Sequence, residues 1–132
     1  MIFVSALLLG PRTGMAAGGL GSAIADLVGG YSHWAPFTLV IKGIKGGIVG
    51  WLFRRAEWGP VGTMWAGVCA LLGGLWMVGG YFLVETMVYG WQPALVALPG
   101  NLFQAGGSLV AGVSAAAALA RAGFPGRAWR ET

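Results

Sequence analysis

Five apolar stretches run along this chain, separated by short polar or Pro/Gly punctuation. The first, Met1 to Gly10, closes at Pro11-Arg12. The second extends from about Thr13 to Val28 and ends at Gly29-Gly30. The third runs from Pro36 to Phe53 and stops at Arg54-Arg55, and the fourth from about Val61 to Tyr89. The fifth runs from about Pro93 to Ala122, ahead of a short basic tail. A helix that spans a bilayer needs roughly 17–25 residues. The fourth and fifth stretches meet that length with room to tilt, the second and third are marginal, and the first is too short. The pattern predicts helices over about 1–10, 13–29, 36–53, 61–89 and 93–122 in one transmembrane domain, with a basic tail over 123–132.

The arginines order these segments. Arg12 falls between the first and second, Arg54 and Arg55 between the third and fourth, and Arg121, Arg127 and Arg130 at or after the end of the fifth. The connections "GGYSHWAP" and "GWQP" carry neither Lys nor Arg. Every second connection is therefore basic, as the positive-inside rule produces. This predicts a multi-pass protein of a bacterial or archaeal plasma membrane with its C-terminus in the cytoplasm. It also puts the start of the first stretch outside, with no signal-peptide pattern to carry it there. The expectation is one further helix upstream, giving six with both termini inside. Tyr31, Trp34, Tyr89 and Trp91 flank the outer connections, and Trp51 and Trp58 the inner one, as interfacial aromatic belts do.

Composition sharpens the class. Of the 132 residues, 57% are hydrophobic and 9% charged, against about 25% charged in an ordinary soluble domain. Glycine is abundant but without a three-residue period, which excludes collagen. Small residues instead recur every four positions: Gly14, Gly18 and Ser22; Gly43 and Gly47, then Gly46 and Gly50; Ser108, Gly112, Ala116 and Ala120. Such stripes let membrane helices approach closely. The net charge of +4 is scattered and is explained by topology rather than by nucleic acid. A single cysteine, Cys69, excludes an internal disulfide and a CxxC site.

Four ionisable residues fall inside the segments: Asp26, Lys42, Lys45 and Glu85. Each costs on the order of 2.5–3.5 kcal/mol at mid-bilayer, so two acids and two bases are expected to offset one another in a shared interior. At about 1.5 Å per residue, all four lie in the outer half of the membrane, together with Asn101 and Gln104. Lys42 and Lys45 are three apart and share a side of their helix. Tyr81, Glu85 and Tyr89 line one face of the next, and Asn101, Gln104 and Ser108 one face of the last. The expectation is an outward-facing pocket with a few placed polar groups. His33, in the outer connection, reads as a solvated loop residue. Neither a phosphate-binding loop, a zinc-ligand set nor a nucleophile elbow is present, so neither an enzyme active site, a cofactor nor a metal is expected.

These residues resemble the substrate-binding S components of energy-coupling factor (ECF) vitamin transporters. The resemblance rests on "LLLGPRTGMAAGGLGSAIADLVGGY" for the family's second and third helices and "PFTLVIKGIKGGIVGWL" for the fourth. It rests also on "GGYFLVETMVYG" for the end of the fifth and "LPGNLFQAGGSLV" for the opening of the sixth. It implies an all-α, six-helix membrane bundle, about five helices of which are present here. It further implies capture of a vitamin or precursor of riboflavin, thiamine-precursor, pantothenate or pyridoxine type. The partners implied are a T component and two ATPase subunits. By motif match, Asn101 and Gln104 carry over as ligand contacts, with Lys42 and Glu85 at further polar positions. The family's first helix and first outer loop have no counterpart in the chain. Two other classes stay open on the residues alone: a structural or assembly subunit of a membrane complex, and a membrane enzyme using the acids as general bases.

Overall fold

The computed structural model of the chain describes residues 1–123; Arg127 and Arg130 of the basic tail lie outside the described residues. These residues form five helices: α1 (Ile2–Leu9), α2 (Pro11–Val28), α3 (Ala35–Phe53), α4 (Pro60–Tyr89) and α5 (Trp91–Arg121). No strand occurs among them.

Proline placement explains several of the boundaries. Pro11, Pro36 and Pro60 open α2, α3 and α4 within their first two positions, where a missing N–H removes no helical bond and a fixed φ favours the first turn. For that reason α2 starts at Pro11, ahead of the Thr13 expected from hydropathy. Likewise α5 starts at Trp91, with Pro93 still inside its first turn. Pro99 is the exception, lying within α5. Two of the links are single glycines. Gly10 joins α1 to α2 at φ 90°, and Gly90 joins α4 to α5 at φ 94°; a residue with a Cβ would be strained in that left-handed region.

Glycines also set how the helices meet. A Cβ on Gly14 of α2 would come within 2.7 Å of the Gly46 carbonyl oxygen of α3, and one on Gly19 within 2.9 Å of the Leu39 carbonyl. The backbones of α2 and α3 thus touch directly, as small-residue stripes permit. The α5 stripe has a different use. Gly112 and Ala116 are buried, and Gly112 receives the Phe3 side chain of α1. Although only eight residues long, α1 packs against α2, α3 and α5.

The α3–α4 contact has a polar register. Trp65 Nε1 donates to the Leu52 carbonyl at 3.3 Å, and Trp76 Nε1 to the Ile41 carbonyl at 3.1 Å. Donors and acceptors are each eleven residues apart, three helical turns, so one face of α4 is pinned twice to one face of α3.

Two core clusters result. Phe3, Ala6, Leu7, Leu8, Val49, Phe53, Ala66, Cys69, Ala70, Val113 and Ala116 fill the half of the bundle near the arginines of residues 12, 54, 55 and 121. Ile41, Met77 and Tyr81, flanked by Trp34, Val84 and Ala105, fill the half towards the aromatic connections. These halves are called here the arginine end and the aromatic end. Helices α3, α4 and α5 are long and apolar enough to cross a membrane. Large apolar side chains such as Leu71, Leu72 and Leu75 on α4 and Val96, Phe103 and Val110 on α5 are exposed on the perimeter, as suits a bundle bathed in lipid. This is an all-α membrane protein.

Candidate functional site: a polar cluster at the aromatic end

Helix α3 carries Trp34 at its N-cap, then Thr38 and Lys42 at successive four-residue steps, all on one face. That face meets α4 at Tyr81. The Tyr81 hydroxyl donates to Thr38 Oγ1 at 3.1 Å, and Lys42 Nζ lies 6.0 Å from the centre of the Tyr81 ring. Thr38, only 2% exposed, is held by this bond.

Two carboxylates complete the arrangement. Asp26 sits in the last turn of α2, and its charge reaches both Lys42 and the Tyr81 hydroxyl. Glu85 stands one turn beyond Tyr81 on α4, and Asn101 Nδ2 of α5 donates to its Oε1 at 3.5 Å. Asp26 Oδ2 and Glu85 Oε2 are both buried, with no hydrogen-bond partner among the described residues. Burying such an oxygen without a donor is costly.

An aromatic group adjoins Tyr81 at this end. The Trp34 ring is 5.9 Å from Tyr81 and 6.0 Å from each of His33, Phe37 and Tyr89. His33 Nε2 and the Tyr89 hydroxyl are 3.1 Å apart, tying the α2–α3 connection to the end of α4. His33, read from the sequence as a solvated loop residue, is exposed but engaged.

The sequence-predicted residues therefore separate into three groups. Asp26, Lys42, Tyr81, Glu85 and Asn101, from four different helices, share one neighbourhood. Tyr89 belongs to the rim with His33 and Trp34, while Gln104 is exposed on α5. Lys45 goes elsewhere. It is 2% exposed, with Nζ 3.3 Å from Met77 Sδ and 4.3 Å from the centre of the Phe3 ring. Its side chain thus turns towards α1 and the core, because one step of three residues along α3 is enough to rotate it away from Asp26. The expected mutual neutralisation takes no direct form: among the described residues no ion pair joins Asp26 or Glu85 to Lys42 or Lys45. Sequence reasoning missed Thr38 and gave Trp34 a purely interfacial place. The available signal was their spacing of eight and four residues before Lys42, on the same helix face. Among the described residues no group of three His, Cys, Asp or Glu could hold a metal ion.

The family model for the S component of ECF-type riboflavin transporters matches residues 1–121. The chain belongs to this S-component family. Among curated relatives, an uncharacterised protein of Pyrococcus woesei is 42% identical over 112 residues, covering 85% of this chain and 72% of that protein. The thiamine precursor transporter HmpT of Lactococcus lactis subsp. cremoris (strain MG1363) is 34% identical over 103 residues, 78% of this chain and 55% of HmpT. The chain thus spans little more than half the length of the latter. In this S component the polar cluster draws its residues from α2, α3, α4 and α5.

Proposed function

We propose that this S component is the substrate-specificity subunit of a vitamin importer, and that it binds a vitamin or vitamin precursor in the polar cluster at the aromatic end. The observation that carries this reading is the pair of carboxylate oxygens, on Asp26 and Glu85, that are buried with no hydrogen-bond partner among the described residues, in the cluster that also holds Lys42, Tyr81 and Asn101. A packed structural interior pairs its polar atoms, whereas a binding site keeps some in reserve for the ligand. Family membership and the likeness to a thiamine precursor transporter support the same role. In this reading the aromatic end faces outward and the arginine end the cytoplasm, in keeping with the positive-inside rule. Release would then follow docking on a T component driven by two ATPase subunits. His33 and Tyr89, joined across the rim, would hold the α2–α3 connection over the bound molecule.

Mass spectrometry of small molecules released from the purified, detergent-solubilised protein tests the reading. A vitamin-type compound released in near-stoichiometric amount is the expected result. Release of nothing, with no thermal shift against a vitamin panel, would favour a structural subunit whose charges serve assembly.

A further inference from the structure

Tyr81 of α4 is met by three residues spaced four apart along one side of α3 and its N-cap: Trp34, Thr38 and Lys42. Each meets the tyrosine in a different way. Trp34 packs ring to ring, with centroids 5.9 Å apart and planes at 58°. Lys42 holds its Nζ 6.0 Å from the ring centre, the outer reach of a cation–π contact. Thr38 alone makes a directional bond, its Oγ1 accepting the Tyr81 hydroxyl at 3.1 Å.

These contacts differ in how strictly they fix the ring. Ring packing and cation–π attraction are satisfied over a range of ring angles, whereas a hydrogen bond weakens steeply off its line. The phenol is therefore aimed by Thr38. Burial makes the aim strict, since Thr38 is 2% exposed and Tyr81 9%, and a buried hydroxyl deprived of its acceptor has no water to replace it. A competing direction also exists. Asp26 and Glu85 both act electrostatically on the same hydroxyl, and a carboxylate is the stronger acceptor. Where the ring points matters for Lys42, which has no hydrogen bond among the described residues and rests on the Tyr81 ring.

Resting on the capture reading above, we propose that Thr38 is a positioning residue of the binding site. It acts through Tyr81: by fixing the phenol on α4, it sets where the Lys42 ammonium and the Trp34 indole stand when a ligand arrives. Loss of the Thr38 hydroxyl frees the Tyr81 hydroxyl to turn towards Asp26 or Glu85. The ring then carries Lys42 and Trp34 out of register.

The test is a double-mutant cycle read in binding as well as in stability. Thr38→Val keeps the shape of the side chain and removes the acceptor, Thr38→Ser keeps the hydroxyl, and Tyr81→Phe removes the donor. Riboflavin, a hydroxymethyl-aminopyrimidine, pantothenate and pyridoxine are the probes. Each is titrated by calorimetry into the purified proteins in lipid nanodiscs, with the thermal transition recorded alongside. For whichever probe binds the wild-type chain, Thr38→Val is expected to weaken binding roughly tenfold or more, and Thr38→Ser to stay within about threefold of wild type. Tyr81→Phe is expected to match Thr38→Val, and the double variant to be no weaker than either, because all three break the same bond. Wild-type affinity in Thr38→Val, no rescue by serine, or losses that multiply in the double variant would overturn the inference while leaving the capture reading intact. Should Thr38→Val not fold, Tyr81→Phe decides, since it breaks the bond from the α4 side: wild-type affinity there overturns the inference. Binding of no probe by the wild-type chain would remove the capture reading and this inference with it.

Discussion

An ammonium group enclosed between a thioether and a phenyl ring has exchanged its water for two weak partners, and Lys45 is in that position. A cation over an aromatic face recovers on the order of 1–2 kcal/mol, less than the several kcal/mol that desolvating a charge costs. Lys45→Met, which keeps the length of the side chain and removes the charge, is therefore expected to raise stability by about 1–3 kcal/mol. The check is the thermal transition of the variant in detergent. Lys42 differs, since it stands over the Tyr81 ring in the proposed site. Lys42→Met is expected to weaken ligand binding at least tenfold with little change in that transition, because Lys42 is half-buried and has no hydrogen bond among the described residues. Calorimetric titration of the two variants side by side separates the roles: a Lys45→Met variant of lowered stability would contradict the account of the core, and full affinity in Lys42→Met that of the site.

Between elements, two kinds of contact decide how α3 is held. Towards α2 it is held by backbone proximity. A Cβ on Gly46 would collide with the Gly14 carbonyl group. Alanine favours a helix over glycine by roughly 1 kcal/mol, but forcing apart two packed backbones costs about 1–3 kcal/mol, so the collision decides the sign. Gly46→Ala is expected to be destabilising. Gly21→Ala, on the open side of α2 with nothing within 4 Å, is expected to be neutral or slightly stabilising in the same melting experiment. Towards α4, α3 is held by the indole bonds of Trp65 and Trp76. Replacing either tryptophan by phenylalanine removes a donor while keeping an aromatic ring. Each substitution should cost roughly 0.5–1.5 kcal/mol, and the pair should add to within about 0.5 kcal/mol, since the two bonds are three turns apart and share no partner. The proposed site therefore sits on a firmly indexed α3–α4 pair, with α2 supplying Asp26 and α5 supplying Asn101.

At the scale of the whole molecule, the open question is direction across the membrane. Cys69 is fully buried and gives little background to thiol labelling. Ser32, in the α2–α3 connection, and Arg55, after α3, are both exposed at opposite ends. In intact cells, Ser32→Cys is expected to react with a membrane-impermeant maleimide, and Arg55→Cys only after permeabilisation. The reverse pattern would invert the bundle and place the polar cluster on the cytoplasmic side, which is incompatible with capture from outside.

Class, membrane location and the approximate course of the helices were legible in the sequence, because burial in hydrocarbon demands long apolar runs and leaves punctuation wherever the chain turns. The positions of Asp26, Lys42, Glu85 and Asn101 along their helices were legible too, since depth follows from a constant rise per residue. The fate of each charge was not. Lys42 and Lys45 share a side of α3 and differ in depth by about one turn, yet one stands in the polar cluster and the other is sealed against Phe3 and Met77. That difference depends on where α1 and α4 press on α3, contacts made by residues more than thirty positions away along the chain. For the same reason the two spare carboxylate oxygens could not be foreseen. Residue types and spacing determine which groups can bond, whereas only the packed arrangement decides which of them are already taken.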